Sequence, residues 1–365
     1  MGKHNVLVAG NFICAKNPFD GQATKTLNVV NEITKKYQHL NVSFFDYSKY
    51  KKRWSLPLLM FKFNKALKNI DSVFIFPGGK NALSFLSFLL YSFKKKHNIH
   101  IFYPVVGGWL FDAVNNKKTI LKYLSCFDGI YVETHKMNQK LVELGLTNVF
   151  YSPVFSLRTS LKKDQISSVC SSLEKDKRLY LCTFSRVCFE KGIGLAIEAA
   201  SKVSNRTKMK IVLEIYGAID KKQEKELMIM FSKLKSDFLE INYFGIIPDD
   251  DVIDVISHHH ALLFPTFYSG EGFPATLLEA YKAGLPVIAS RWAYNEEIIK
   301  ENMTGFLFSL NTEELEKRIE WCLFNQDILL SMKTNCVVEA KKYEPSIALK
   351  PLFDDFEKAL GKKQK

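Results

Sequence analysis

Short apolar runs rich in Val, Ile, Leu and Phe recur along the whole chain, and each leads into a stretch whose apolar residues have helical spacing. Runs of this kind read as buried strands, and strands separated by helices imply parallel sheets with helices on both faces. In the first half the pattern predicts strands near Val6–Ala9, Val42–Asp46, Ser72–Phe76, His100–Val106, Gly129–Glu133 and Asn148–Tyr151. Helices are predicted near Thr24–Tyr37, Pro57–Lys68, Ala82–His97, Lys117–Cys126 and Lys136–Leu144. The pattern breaks around Pro153–Lys163, and the Ser-rich, charged residues that follow to Lys177 read as a linker. It restarts with strands Leu179–Phe184, Lys210–Tyr216, Glu240–Phe244, Ala261–Pro265 and Pro286–Ala289. At 365 residues the chain is too long for one ordinary core. Two α/β domains are expected, over 1–160 and 175–345.

The stretch Tyr268–Ser290, YSGEGFPATLLEAYKAGLPVIAS, carries the most chemistry. Glu271 and Glu279 lie eight positions apart, on either side of a helix start. Gly270 and Gly272 allow a tight turn and close approach of backbone to a ligand. Pro274 fits the first helical position, where its missing N–H costs nothing. The unpaired amides of Ala275 and Thr276 then offer an anion site at the positive end of the helix. Leu277, Leu278 and Tyr281 share an apolar face. A phosphate site between two carboxylates able to accept hydroxyl hydrogen bonds is what a nucleotide sugar requires. An ordinary loop-to-helix junction with two solvated glutamates is the alternative.

Arg186 and Lys191 form a second constellation, after the strand-like YLCTFS and before the helical LAIEAASKV. A loop at the carboxyl end of a parallel strand is where open α/β sheets bind ligands. Two fixed cations there suit a diphosphate, Arg with a planar fork and Lys with a point charge.

Together these residues resemble the Glu-x7-Glu motif and the Arg…Lys-Gly loop of the family 4 retaining glycosyltransferases. The resemblance implies the GT-B fold: two Rossmann-like doubly wound domains with an interdomain cleft. The last helix, about 346–365, is then expected to pack back on the first domain. By the same resemblance Arg186 and Lys191 bind the donor diphosphate, Glu271 the donor sugar and Glu279 the ribose hydroxyls. Gly272, Phe273, Ala275 and Thr276 belong to the donor-binding set, with Gly21 and Gly108 from the first domain. Gly21 is the one glycine in a loop that is Gly-rich in the family, and a plain turn before a helix capped at Thr24 remains open there. Gly108 follows Gly107 and precedes Trp109, which could stack on a sugar, and Asp112, a candidate helix cap. A histidine that many relatives carry near this point is absent.

The implied reaction is transfer of a hexosyl residue from a nucleotide diphosphate sugar, UDP favoured, to a hydroxyl acceptor with retention. No cofactor or metal is expected. Enzymes building bacterial capsular or other surface polysaccharides are the most similar in this stretch, so a glycan or lipid-linked glycan acceptor is expected. A non-catalytic GT-B partner of another transferase is the alternative.

Charge is uneven. The net +13 comes from residues 1–160, with 22 Lys and Arg against 8 Asp and Glu, while the remainder has 29 against 30. Basic clusters at Lys49–Arg53 and Lys94–Lys96 adjoin the apolar runs Trp54–Phe61 and Phe85–Phe93. That combination suits an anionic membrane face, and a solvated basic domain with those runs buried is the other option. No nucleic-acid recognition motif accompanies the charge. The seven cysteines are scattered, with no C-x-x-C pair, which fits reduced thiols in a cytoplasmic protein. No signal peptide or spanning segment is legible, and the location expected is cytoplasmic, with the inner membrane face open as a peripheral site. Two metal-like patterns have plainer readings: His258–His260 as a helix end, and Asp249–Asp251 as helix capping.

Overall fold

A computed structural model of the chain describes residues 4–10, 21–50 and 56–362. They fall into two compact units, Met1–Val154 with Pro345–Lys365, and Phe155–Glu344.

The first unit is built on strands β1 (Asn5–Gly10), β2 (Asn41–Asp46), β3 (Ser72–Phe76), β4 (His100–Pro104), β5 (Gly129–Val132) and β6 (Val149–Tyr151). They pair in parallel in the order β2-β1-β3-β4-β5-β6. Helices cover both faces, so the central strand SVFIF is buried at every position. The tail helix Lys350–Lys362 belongs to this unit and presents Leu352, Phe353 and Phe356 inward. Phe356 meets the rings of Phe74 and Phe102 edge-on at centroid distances of 5.1 and 5.5 Å. The polar side of the same helix is tied down as well. Tyr37 and Tyr131 hydroxyls donate to Glu357 at 3.0 Å and Asp355 at 3.1 Å.

In the second unit the strands are β7 (Leu179–Phe184), β8 (Ile211–Tyr216), β9 (Leu239–Gly245), β10 (Ala261–Phe264), β11 (Val287–Ser290) and β12 (Gly305–Phe308). All are parallel, in the order β12-β11-β10-β7-β8-β9. The core lies between this sheet and its helices. One of them, Gln326–Ala340, buries Lys333 completely, with Nζ donating to the carbonyls of Ser257 and His259 at 2.8 Å each.

Several local expectations are corrected. The stretch read as a linker is a helix, Lys163–Lys175, whose Ile166, Val169 and Leu173 are buried on one side while its serines face out. The spacing of those three is helical, and the serines between them masked it. The first helix starts at Gly21, so Thr24 lies inside it and is no cap. Asp112 sits in the first turn of Leu110–Val114, whose N-cap position is Trp109. Asp249–Asp251 form a short 3-10 turn, and the helix Val252–Ser257 that follows has no side-chain cap. The loop before Gly21 and the cluster at Lys51–Trp54 lie outside the described residues.

Candidate functional site

Strand order in the second unit reverses between β7 and β10: the chain runs outward from β7 through β8 to β9, and from β10 through β11 to β12. A crevice opens at the carboxyl ends of the strands flanking such a reversal, and ligands of doubly wound sheets bind there. The two loops that border it are 185–191, after β7, and 265–274, after β10. Their backbones are pressed together, with Phe267 N–H donating to the Glu190 carbonyl at 2.9 Å. Gly192 makes this approach possible. Its φ is +77°, and a Cβ there would stand 2.1 Å from the Pro265 carbonyl oxygen.

The closeness of the loops joins residues 80 positions apart. Lys191 Nζ donates to Glu271 Oε2 at 2.6 Å, and the Thr266 hydroxyl donates to the same oxygen at 2.9 Å. Both ion-pair partners are nearly enclosed, with side chains 13% and 9% exposed. The Tyr268 ring lies under both cations, 5.1 Å from Lys191 Nζ and 5.4 Å from the Arg186 guanidinium. Arg186 itself is exposed at the rim. Gly270 leaves room for that ring, since a Cβ there would come within 2.8 Å of it. The Trp292 indole N–H, donating to the Tyr268 carbonyl at 2.9 Å, fixes the loop from the far side.

Helix Ala275–Lys282 starts at the end of the second loop. Pro274 is its N-cap residue, with φ −73° and ψ 118°, one place earlier than the first helical position expected. Neither Gly270 nor Gly272 has a positive φ, and at Gly270 the absent side chain matters for space rather than turn geometry. The half-buried Ala275 and Thr276 stand at the positive end of the helix. Phe273 is buried with its ring edge-on to Tyr343 at 5.2 Å, so its side chain serves packing.

Glu279 follows one turn into the helix, 9% exposed, and is ion-paired through Oε1 with Arg158. The same guanidinium reaches Asp249, with Nη2 on the carboxylate and Nε donating to the backbone carbonyl at 3.1 Å. Lys282, one turn on, is buried, and its ammonium donates to the carbonyls of Ser156, at 2.8 Å, and Arg158. Burial lowers the Lys282 pKa from its ordinary value.

The structure therefore brings Arg186, Lys191, Glu271, Gly272, Ala275, Thr276 and Glu279 to one end of one sheet. Gly21 and Gly108 belong to the first unit, the one at the start of the helix after β1 and the other in the turn after β4. Arg158, Thr266 and Tyr268 were not singled out from the sequence. Thr266 and Tyr268 lie within a few residues of Glu271, and that nearness could have found them. Arg158 lies over 100 positions from Glu279, with no local signal.

The triplet His258–His260 diverges as its spacing implies. His258 pairs with Asp254 at 3.7 Å and His259 with Glu214 at 2.9 Å, while His260 Nδ1 accepts the Tyr180 N–H at 3.0 Å. Among the described residues no group of three His, Cys, Asp or Glu is placed to hold a metal ion.

Residues 167–342, which include every member of this cluster except Arg158, match the family model of glycosyl transferases group 1. The match spans just under half of the chain. The chain is 25% identical over 234 residues to the UDP-N-acetylglucosamine–peptide N-acetylglucosaminyltransferase GtfA subunit of Streptococcus agalactiae, covering 62% of this chain and 43% of that protein. It spans under half the length of the curated relatives it matches. Among solved structures, Anabaena Alr3699/HepE in complex with UDP superposes with a TM-score of 0.72 at 13% identity, over 97% of this chain and 100% of the other. Sucrose-phosphate synthase from Thermosynechococcus elongatus gives 0.73 at 12%, over 98% and 100%. The fold is GT-B.

Proposed function

We propose that the chain is a retaining glycosyltransferase that moves a hexosyl-type sugar from a UDP-sugar to a hydroxyl acceptor. The observation that carries this reading is the Lys191–Glu271 pair, with Arg186 beside it, at the β7/β10 reversal. Charge builds on the leaving diphosphate as the glycosidic bond breaks. Arg186, Lys191 and the amides of Ala275 and Thr276 are fixed donors for that charge before the reaction begins, and this preorganisation is the main source of rate. Glu271 takes the donor sugar and Glu279 the ribose. Among the described residues no side chain near Glu271 is set out as a separate nucleophile, which favours a front-face route in which the leaving phosphate accepts the acceptor proton.

The match to a group 1 domain supports the nucleotide-sugar chemistry, and the solved neighbour with UDP supports the choice of nucleotide. The named donor of the streptococcal relatives puts UDP-N-acetylglucosamine beside UDP-glucose in the first screen. Glycan, lipid-linked glycan and peptide hydroxyls are the acceptors to test. Because those relatives are named as subunits, a partner chain is the second reading, and pull-down of a second transferase with no donor turnover by this chain alone would favour it.

Proton NMR of the anomeric region during turnover of an α-linked UDP-sugar tests the reaction. An α-linked product, formed at the same rate in EDTA, is expected. A β-linked product, or activity that disappears on chelation and returns with Mn²⁺, contradicts retention or the metal-free scheme respectively.

A peripheral place on an anionic membrane, at the cytoplasmic face, is part of the proposal. Helix Leu56–Ala66 buries Leu59 and Phe63, yet leaves Leu58, Met60 and Phe61 exposed beside Lys62 and Lys65. Phe61 is 68% exposed, more than any other large apolar side chain described. Apolar side chains interleaved with lysines suit a headgroup layer, each lysine contributing about 1 kcal/mol. Among the described residues no helix is long and apolar enough to cross a membrane. The protein should sediment with phosphatidylglycerol vesicles at low salt, release at high salt, and bind less well as Phe61→Ser. Equal recovery in the supernatant with and without vesicles at low salt would dismiss the membrane role.

A further inference from the structure

We infer that Arg158 is a positioning residue of the donor site, holding the Glu279 carboxylate so that its second oxygen accepts a ribose hydroxyl. The inference rests on the proposed donor site and adds to it a residue outside the stretch that matches the family model.

Three bonds strap the segment 156–161 across the helix that carries Glu279. Lys282 Nζ donates to the carbonyls of Ser156 and Arg158, and Leu161 N–H donates to the Lys282 carbonyl at 2.9 Å. The Arg158 N–H donates to the Ser156 hydroxyl at 3.2 Å, which closes the turn. The backbone of Arg158 is thereby fixed one turn from Glu279. Its side chain is 22% exposed and forks between two carboxylates, Glu279 and Asp249. Asp249 is a solvated anchor, 85% exposed, while Glu279 is 11% exposed by side chain.

A carboxylate this enclosed is held by its ion pair with the guanidinium, and a carboxylate oxygen left over is a strong acceptor for a hydroxyl. Arg158 pairs at Oε1 only, and Oε2 has no bond among the described residues. A planar fork held at both ends defines the plane of its partner more tightly than a lysine could. The arrangement therefore serves the ribose end of the donor, whereas Arg186 and Lys191 serve the diphosphate end.

The test is titration of UDP, and separately of inorganic pyrophosphate, into the full chain and four variants. Arg158→Met should raise the UDP Kd about tenfold and leave pyrophosphate affinity unchanged. Arg158→Lys should recover part of the loss, and Asp249→Ala, at an exposed position where folding is safe, should weaken UDP about threefold. Glu279→Ala is the control for the donor site itself. If it binds UDP as wild type does, the ribose assignment fails. If it loses UDP while Arg158→Met and Asp249→Ala bind UDP as tightly as wild type or more tightly, the inference about Arg158 fails alone. An equal loss of UDP and pyrophosphate in Arg158→Met also overturns it, because the effect would then be general charge. Should Arg158→Met not fold, Asp249→Ala decides.

Discussion

Lys191→Ala is expected to lower donor turnover by a hundredfold or more and to weaken UDP binding as well. Two effects combine in it. In the proposed mechanism the substitution removes a preorganised donor to the leaving diphosphate, and losing one such donor costs about 2.7–4 kcal/mol in the barrier. It also strands Glu271, whose Oε2 keeps, among the described residues, only the Thr266 hydroxyl at 2.9 Å. Removing one partner of an enclosed ion pair costs about 3–5 kcal/mol when burial is complete, and somewhat less at the 13% and 9% exposure of this pair. Glu271→Gln should also cut turnover strongly, while keeping a hydrogen-bonding side chain near Thr266. The family resemblance assigns the two residues to separate parts of the donor. The 2.6 Å contact couples them, so the double variant should lose less than the sum of the single losses. Single-turnover kinetics on the three variants measures this, and additive losses would mean that Lys191 and Glu271 act independently.

Lys333→Ala should be the most destabilising single change in the second unit. The side chain is fully buried and its ammonium bonds two carbonyls, those of Ser257 and His259, that close the end of helix Val252–Ser257. Alanine leaves a cavity and two buried carbonyls without that donor, at a cost of about 3–5 kcal/mol. Lys333→Met fills the space and should cost less. Burial lowers the Lys333 pKa to about 8, from an ordinary 10.5. Between those values the unfolded chain holds the proton more tightly, so wild-type stability should rise as pH goes from about 8 to 10.5. Urea midpoints across that range should show the rise in wild type and a flatter line in Lys333→Met. Identical slopes in the two proteins would contradict the lowered pKa of Lys333.

Much of the fold was legible because both sheets are parallel and covered on both faces, so their strands are short continuous apolar runs. Ser72–Phe76 and Leu179–Phe184 were read to the residue for that reason. The last strand of the second sheet, Gly305–Phe308, was missed, since four residues after a turn carry little pattern. Helix Lys163–Lys175 was missed because three buried residues among serines and lysines look like a linker. In the candidate site, Arg186, Lys191 and Glu271 on loops and Glu279 in a helix stand out in the sequence as residue types at fixed spacings. Their partners were not. Nothing local in the sequence says that Lys191 lies on Glu271, a consequence of β7 and β10 being neighbours. Arg158 on Glu279 depends on a strap made by Lys282, whose role shows only in three dimensions. The Phe273 ring packs on Tyr343, a contact with no local signal in the sequence.

We propose that the β7/β10 crevice of the second unit binds a nucleoside diphosphate through Lys191 at one end and Glu279 at the other. Isothermal titration of UDP, GDP and dTDP into wild type, Lys191→Met and Glu279→Ala tests it most directly. Saturable binding of UDP to wild type is predicted, with at least about a tenfold loss in each variant, since each removes a charge-assisted hydrogen bond of about 1.5–3 kcal/mol. Wild type that binds none of the three nucleotides, or two variants that bind UDP as tightly as wild type, would contradict the account.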